Sequence, residues 1–228
     1  MAATDGRQEA AFLRAMLTAT MYALAPLSDD HPRLRLFMYR RPEGDFFVPL
    51  FTDEAKATAS AEGQLRVFSS FGRQLLEMTL GAVVIVNPND EHCTLYPEEI
   101  TALLATGRVG KYETEVTTAG SHVVIAEPVS PPGWLVKRLQ TLYADLPYVE
   151  AAHLLYIARE GQPRNGVLTV VIVTTSALAE RAVRATITAL QEDCRRANLP
   201  MDVTVAPSDK TDHQSWAQHG QLIYAKKE

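Results

Sequence analysis

The feature that most constrains this chain is the shortness of its apolar runs, which turn residues interrupt at regular intervals. The longest runs, Ala82–Val86 and Val167–Val173, have the length of a β-strand and are far too short to cross a bilayer. Between such runs lie segments with apolar residues at helical spacing, for example Glu9–Leu17. Alternating strands and helices predict an α/β protein built from small mixed sheets with packed helices.

The first half of the chain carries a hairpin signal. Residues 34–41 alternate in character, with Leu34, Leu36 and Met38 expected on one side. The turn residues 42–45 follow, and Phe46–Phe51 then has the composition of a second strand. Two such segments joined by a short turn predict an antiparallel hairpin.

Cap residues predict the helices that follow. Asp53 is expected to cap a helix over Glu54–Ala61, because its carboxylate can accept from the free N–H groups of the first turn. Ser69 or Ser70 is expected to cap a second helix that runs through Met78, with Met78 pointing inward.

The second half orders its predicted elements β-α-β-β-α-β, the order of a split-βαβ, ferredoxin-like fold. Its longest helix is predicted over Ala177–Leu199, with Glu180 and Arg184 paired on the outer face. The inner stripe of this helix is expected to comprise Ala179, Val183, Ile187, Leu190, Cys194 and Ala197.

The segment between the two halves, residues 107–121, is rich in Thr and Gly and has no apolar period. We therefore expect a first domain over residues 1–112, a linker at 113–120 and a second domain over 121–228.

Charge and cysteine content limit the classes of partner and the cellular compartment that the sequence predicts. The net charge is −5 and no run of Lys and Arg exceeds two residues, so we expect no nucleic-acid partner and no membrane association. The two cysteines, Cys93 and Cys194, lie outside any metal-binding spacing and predict reduced, intracellular thiols. The N-terminus lacks the pattern of a signal peptide, and we expect a cytoplasmic protein.

No set of polar residues has the spacing of a catalytic, cofactor or metal site. The run Asp90–Cys93 offers four metal-ligand types, but neighbours in a strand point to opposite faces, which favours a turn. Cys194 falls on a helix stripe, where a thiol is packing, and Cys93 has only the adjacent His92 as a base. The remaining candidates fall into two groups. His122 and His153 are expected in strands. A solvated loop is expected for a second group, which could alternatively form a binding surface: Asp209, Asp212, His213, Trp216 and His219.

Aromatic residues give two candidate binding patches. If Phe47 or Phe51 is exposed beside Pro49, it would form an apolar patch suited to a partner protein. An exposed Trp134 at the start of a helix would form a similar patch. Core packing is the alternative for all three. Tyr156 alone supplies an aromatic ring to the central strands of the second half, so base stacking on RNA is not expected.

Three stretches resemble the SseB family, which is named for enhanced serine sensitivity in bacteria. They are Phe47–Asp53, then Val83–Pro88 followed by Glu98-Glu99-Ile100, and finally Ala126–Pro132 followed by Val149–Leu154. The resemblance extends over an N-terminal family domain at about 6–112 and a C-terminal one at about 120–228. It implies a bacterial cytoplasmic protein with a link to serine sensitivity, and it brings no catalytic residues.

These observations favour a non-enzymatic binding or regulatory protein with an as yet unknown protein partner. Its partner surface is expected in a groove between the domains or on an open sheet edge, and a homodimer is left open. The alternative is a binder of amino acids or nucleotides, or an enzyme, with a dispersed site, because a fold does not decide function.

Overall fold

The computed structural model describes residues 6–28, 34–40, 46–90, 92–110, 123–159, 166–209 and 219–226. Contacts divide the chain into two compact units, Met1–Val109 and Gly110–Glu228. The predicted linker at 113–120 lies outside the described residues, so its role stays a prediction.

The first unit combines four helices and six strands within its described residues. The helices are α1 (Gly6–Thr18), α2 (Glu54–Ala61), α3 (Gly72–Met78) and α4 (Pro97–Thr106). The strands are β1 (Thr20–Pro26), β2 (Tyr39–Arg40), β3 (Phe46–Phe51), β4 (Leu65–Phe71), β5 (Val83–Val86) and β6 (Cys93–Leu95). The sheet has the order β4-β1-β3-β5-β6, and β2 also pairs with β3.

The sheet is mixed. β1 is antiparallel to both β3 and β4, whereas β3 and β5 run parallel. The predicted hairpin is confirmed as the antiparallel pair of β2 and β3, although β2 is only two residues long. Successive residues of β1 enter different clusters, Ala23 on one face and Leu24 on the other. Both faces are therefore covered, which explains the unbroken apolar runs.

The helix predicted from Ser69 or Ser70 was placed too early. Those two serines belong to β4, which the sequence reasoning missed, and α3 begins only at Gly72. The Gly72 N–H donates to the Ala19 carbonyl at 2.9 Å, and a Cβ at Gly72 would collide with the Met16 carbonyl oxygen. The position thus requires glycine, which fixes where the strand ends.

The second unit combines two helices, a 3-10 turn and five strands within its described residues. The helices are α5 (Gly133–Ala144) and α6 (Ala179–Arg196), and the 3-10 turn (Ser176–Leu178) precedes α6. The strands are β7 (Val123–Ala126), β8 (Ala151–Arg159), β9 (Val167–Thr174), β10 (Met201–Pro207) and β11 (Gln221–Ala225). The sheet has the order β10-β9-β8-β11, and β7 also pairs with β8.

The α/β class and the element order β-α-β-β-α-β are confirmed, but the strand pairing differs from a ferredoxin-like sheet. In a split βαβ unit, another strand separates the two strands that a helix connects. Here β9 and β10 are direct parallel neighbours, and β7 and β8 are direct antiparallel neighbours. The ferredoxin-like strand order was wrong because the order of elements along a chain does not decide which strands pair.

Helix α6 is rotated relative to the predicted stripe. Leu190 and Cys194 are buried as expected, but the other buried positions are Ala182, Ala185 and Thr186, with Arg184 beside them. The predicted positions Ala179, Val183 and Ile187 are half-buried, and Ala197 is exposed. Apart from Leu190, the hydrophobic positions of α6 that are buried therefore carry small side chains. The Glu180–Arg184 ion pair exists at 3.2 Å, but Arg184 is only 6% exposed instead of lying on the outer face.

Candidate functional site

Two of the family-like stretches meet at the carboxyl ends of the parallel strands β3 and β5. The Asn87 side chain accepts from the Thr52 backbone N–H at 3.1 Å and donates to the Thr52 hydroxyl at 3.0 Å. Asn87 has φ of 51°, a left-handed conformation that asparagine tolerates better than most residues. This contact joins residues 35 positions apart and locks the two strand ends together.

Charged side chains lie next to the contact between Thr52 and Asn87. The Asp53 carboxylate caps α2 by accepting from the Lys56 N–H at 2.9 Å, as predicted. The Lys56 ammonium lies 3.1 Å from Asp90 and 3.6 Å from Asp53. The hydrogen bond to Asp90 is the main cause that raises the pKa of Lys56. Lys56 is thus held as a cation, which does not suit a general base or nucleophile at neutral pH.

The acidic pair Glu98-Glu99 follows the second family-like stretch, and Glu99 has a structural role. Glu99 is 1% exposed, and its carboxylate accepts from the Tyr96 backbone N–H at 3.1 Å. This bond closes the first turn of α4, which begins at Pro97. Helix capping therefore accounts for the buried carboxylate.

The first unit contains a groove of about 540 Å³ lined mainly by apolar side chains, here called the methionine groove. It is formed by the segment before β2, one residue of β3, the end of α3 and the turn that follows. Its lining residues are Leu34, Leu36, Met38, Val48, Met78, Thr79, Leu80 and Ala82.

The methionine groove has an aliphatic and thioether surface. Met38, Met78 and Leu80 are 40%, 45% and 56% exposed. Thr79 supplies the single side-chain hydroxyl among the described lining residues, and it donates to the Leu76 carbonyl at 3.0 Å. None of these described residues is titratable, so this part of the groove is suited to contact with apolar groups.

The predicted alternation of residues 34–38 is confirmed in this groove. Leu34, Leu36 and Met38 line it together, while Phe37 packs in the cluster on the opposite face of the sheet. Met78, in contrast, was predicted to point inward and is exposed. It is the last residue of α3, and the residue that follows it, Thr79, is buried instead.

The second unit also places polar contacts at the carboxyl ends of its parallel strands. Asp209 accepts from the Ser176 N–H at 3.0 Å and from the Ser176 hydroxyl at 2.8 Å. Ser208 donates to Glu150 at 2.7 Å, within one of the family-like stretches. As in the first unit, these groups tie loops together after β9 and β10. Asp209 was predicted in a solvated loop and instead holds the start of the 3-10 turn.

A smaller cavity of about 470 Å³ surrounds Trp134 on α5, which is 38% exposed. Arg138, Asp193 and Arg196 also line it. Asp193 lies between the two guanidinium groups, 3.8 Å from Arg138 and 3.7 Å from Arg196. The exposed patch considered for Trp134 therefore exists, with charged rather than apolar neighbours.

The other aromatic candidate is part of the core. Phe51 is 1% exposed and packs against Leu24 and Ala57. Phe47 is half-buried, and its ring lies 5.8 Å from that of Tyr39. The exposed aromatic residue of this stretch is instead Phe46, at the beginning of β3.

The cysteine and histidine candidates do not form a shared site among the residues that are described. Burial is the main cause that raises the pKa of Cys194, so its thiol stays protonated. His153 is 7% exposed on β8, and burial lowers its pKa. His219 is exposed, and the Asp90 carboxylate lies 3.1 Å from the Lys56 ammonium. Glu91, His122, Asp212, His213 and Trp216 lie outside the described residues.

The ranges that the structure describes contain no group of three or more His, Cys, Asp or Glu side chains placed to hold a metal ion. No helix in these ranges combines the length and the apolar character that a bilayer span requires.

Comparison with known proteins points to one family. Residues 1–102 match the family model described as SseB protein N-terminal domain. The chain is 24% identical over 172 residues to "Protein SseB" of Escherichia coli (strain K12) and to "Protein SseB" of Shigella flexneri. Each alignment covers 71% of this chain and 66% of the relative, just under two thirds of the relative's length. No solved structure matches the chain.

Proposed function

Because this chain belongs to the SseB family, we propose that it is a non-enzymatic protein-binding or regulatory module. The partner surface of this proposal is the methionine groove, and its occupant is an apolar segment of another protein. A cytoplasmic location and a link to serine sensitivity, both implied by the family resemblance, are part of the proposal.

One observation carries the proposal: the described lining residues of the groove expose large apolar side chains, and none of them is titratable. Methionine suits protein recognition, because its unbranched, polarisable side chain adapts to irregular surfaces. Two methionines, Met38 and Met78, enter the groove from separate segments of the first unit. Filling the groove with an apolar segment would remove these side chains from water. This burial favours binding by roughly 25 cal/mol for each Å² of apolar surface that is buried.

The same lining argues against a free amino acid as occupant. Its ammonium and carboxylate groups would lose water and gain no charged partner from the groove. An amphipathic helix avoids this cost, since it buries one apolar face and keeps its polar face in water. We therefore favour a helical segment of a partner protein.

Site-specific photo-cross-linking in bacterial cells tests the proposal. A photoreactive amino acid replaces Leu80 in the groove, and a matched chain carries it at Leu27, which is 63% exposed outside the groove. We expect a discrete cross-linked protein only from position 80. Adding Met78→Lys should abolish that product, whereas Leu27→Lys should leave it unchanged. No product at position 80, or a product that survives Met78→Lys, contradicts the proposal.

A ligand screen addresses the small-molecule alternative on the same protein. A ligand that binds only the folded state at 100 times its Kd adds about 2.7 kcal/mol of apparent stability. We expect amino acids and nucleotides to leave the unfolding temperature unchanged. A reproducible rise with one metabolite class would favour the alternative over the protein-binding module.

A further inference from the structure

Strand β4 is an edge strand with an open side. It pairs with β1 along its whole length, from Thr20↔Phe71 to Pro26↔Leu65, without a bulge. No strand in the described ranges pairs with the other side of β4. An edge of seven regular residues presents a row of free backbone donors and acceptors, which is a template for another strand.

The hydrogen bonds next to β4 show which residues turn outward. Gly72 directly follows the strand, and its N–H donates to the Ala19 carbonyl at 2.9 Å, on the β1 side. Bonded and non-bonded pairs alternate along an antiparallel ladder. Counting back from Gly72, the peptide groups of Leu65, Val67 and Ser69 and the N–H of Phe71 therefore face the open side, while the Phe71 carbonyl belongs to the N-cap of α3.

A second contact gives the same assignment. Val67 lies opposite Leu24 in the ladder. The Leu24 carbonyl accepts from the Phe37 N–H at 2.7 Å, a residue outside β4, so Leu24 turns its peptide group away from Val67. The pair is thus a non-bonded one, and Val67 directs its own N–H and C=O to the edge.

The usual protections of an edge strand are sparse here. Natural edges carry several charges, prolines or bulges that prevent pairing with another chain. β4 has one charged residue, Arg66, and no proline, and Phe71 at its end is 57% exposed. Strand β10, at one edge of the sheet of the second unit, also has one charged residue, Asp202, but it ends at Pro207.

We propose that two copies of this chain form a two-fold homodimer by antiparallel pairing of their β4 strands. The two-fold axis passes at Phe68. Val67 of each subunit therefore pairs with Ser69 of the other subunit. In this register every outward peptide group of the strand has a partner, and the two sheets become one.

Charge supports a second copy as the occupant. The register places Arg66 opposite Ser70 of the partner subunit. The two Arg66 side chains of the dimer therefore do not face each other. Like charges directly opposite each other would destabilise the pair. An antiparallel pair of identical strands is also self-complementary, as a two-fold interface requires. Because seven residue pairs make a small interface, we expect a weak dimer.

The mass of the full chain in solution tests the dimer. Sedimentation over a range of concentrations should show a reversible rise from the chain mass of 25.1 kDa to twice that value. Ser69→Pro should abolish the rise, because it removes an outward N–H, and proline is tolerated on the open side of an edge strand. Ser69→Thr keeps the N–H and should retain the dimer.

Ser70 tests the register with the backbone intact. Ser70→Arg places an arginine opposite Arg66 of the partner subunit and should weaken the dimer about tenfold in Kd, which corresponds to about 1.4 kcal/mol. Ser70→Glu places a carboxylate there and should tighten it. A monomer at every concentration overturns the proposal, and so does a dimer that responds to neither Ser70 substitution. If Ser69→Pro fails to fold, the opposite effects at Ser70 decide.

Discussion

The buried hydroxyl pair of Tyr143 and Thr186 offers a sharp test of how the second unit is held together. Both residues are 0% exposed, and their oxygens lie 3.1 Å apart between α5 and α6. The Thr186 hydroxyl donates to the Ala182 carbonyl at 2.8 Å, so its oxygen accepts from Tyr143. Burial raises the pKa of Tyr143, which keeps the phenol protonated and able to donate.

The two single substitutions should differ in cost. Tyr143→Phe removes the donor but leaves Thr186 bonded to Ala182, so we expect a loss of about 1 kcal/mol. Thr186→Val leaves the Tyr143 hydroxyl buried without a partner, and we expect about 2 kcal/mol. The double variant replaces both partners by apolar groups of similar shape. It should therefore cost less than Thr186→Val alone.

Urea unfolding followed by tryptophan fluorescence measures this cycle. Both tryptophans, Trp134 and Trp216, lie in the sequence of the second unit, so the signal reports that unit. A double variant whose loss equals the sum of the two single losses would show that the hydroxyls do not interact. A larger loss for Tyr143→Phe than for Thr186→Val would refute the assigned direction of donation.

Three further outcomes are expected in unfolding experiments followed by far-UV circular dichroism. Asn87→Ala should cost about 2 kcal/mol, from the lost Thr52 bonds and the left-handed φ, and Asn87→Gly should cost less because glycine adopts that φ freely; equal costs would contradict the backbone part of this reasoning. Asp53→Ala should cost about 1 kcal/mol and Asp53→Asn little, since asparagine also caps; a similar loss for both would reject the cap. Burial lowers the pKa of His153 below 6.5, so the unfolded chain takes up the proton first. Stability should therefore fall as the pH drops below about 6.5, and His153→Leu should flatten this slope; an unchanged slope would exclude His153 as its cause.

Local signals predicted local structure well. The helix over Glu54–Ala61 has the predicted bounds because Asp53 lies next to it and bonds its first turn. The alternation of residues 34–38 was also correct, although this segment precedes β2 and is not itself a strand. β4 was missed because its serines have the chemistry of helix caps, and only the long ladder with β1 outweighs that preference.

Contacts between distant segments were beyond the reach of such signals. The bond between Thr52 and Asn87 depends on the parallel register of β3 and β5, which no local pattern encodes. The methionine groove likewise needs three segments brought together, and Met78 faces it because α3 ends at that residue. The rotation of α6 was missed because the larger residues Val183 and Ile187 are half-buried, while small residues of the same helix are buried.

The two polar contacts at strand ends bear on the proposed function. In open α/β sheets, ligands commonly bind beyond the carboxyl ends of parallel strands, where loops present free polar groups. Here both units use those ends for bonds within the protein, through Asn87 and Thr52 in one and Asp209 and Ser176 in the other. A ligand at either place would have to break these bonds before it formed its own. In the described part of the chain, the side chains of Met38, Met78 and Leu80 in the methionine groove have no hydrogen-bond donor, and no strand pairs with the outer side of β4. A partner at these places would break fewer bonds, and this difference in cost is why we place recognition there.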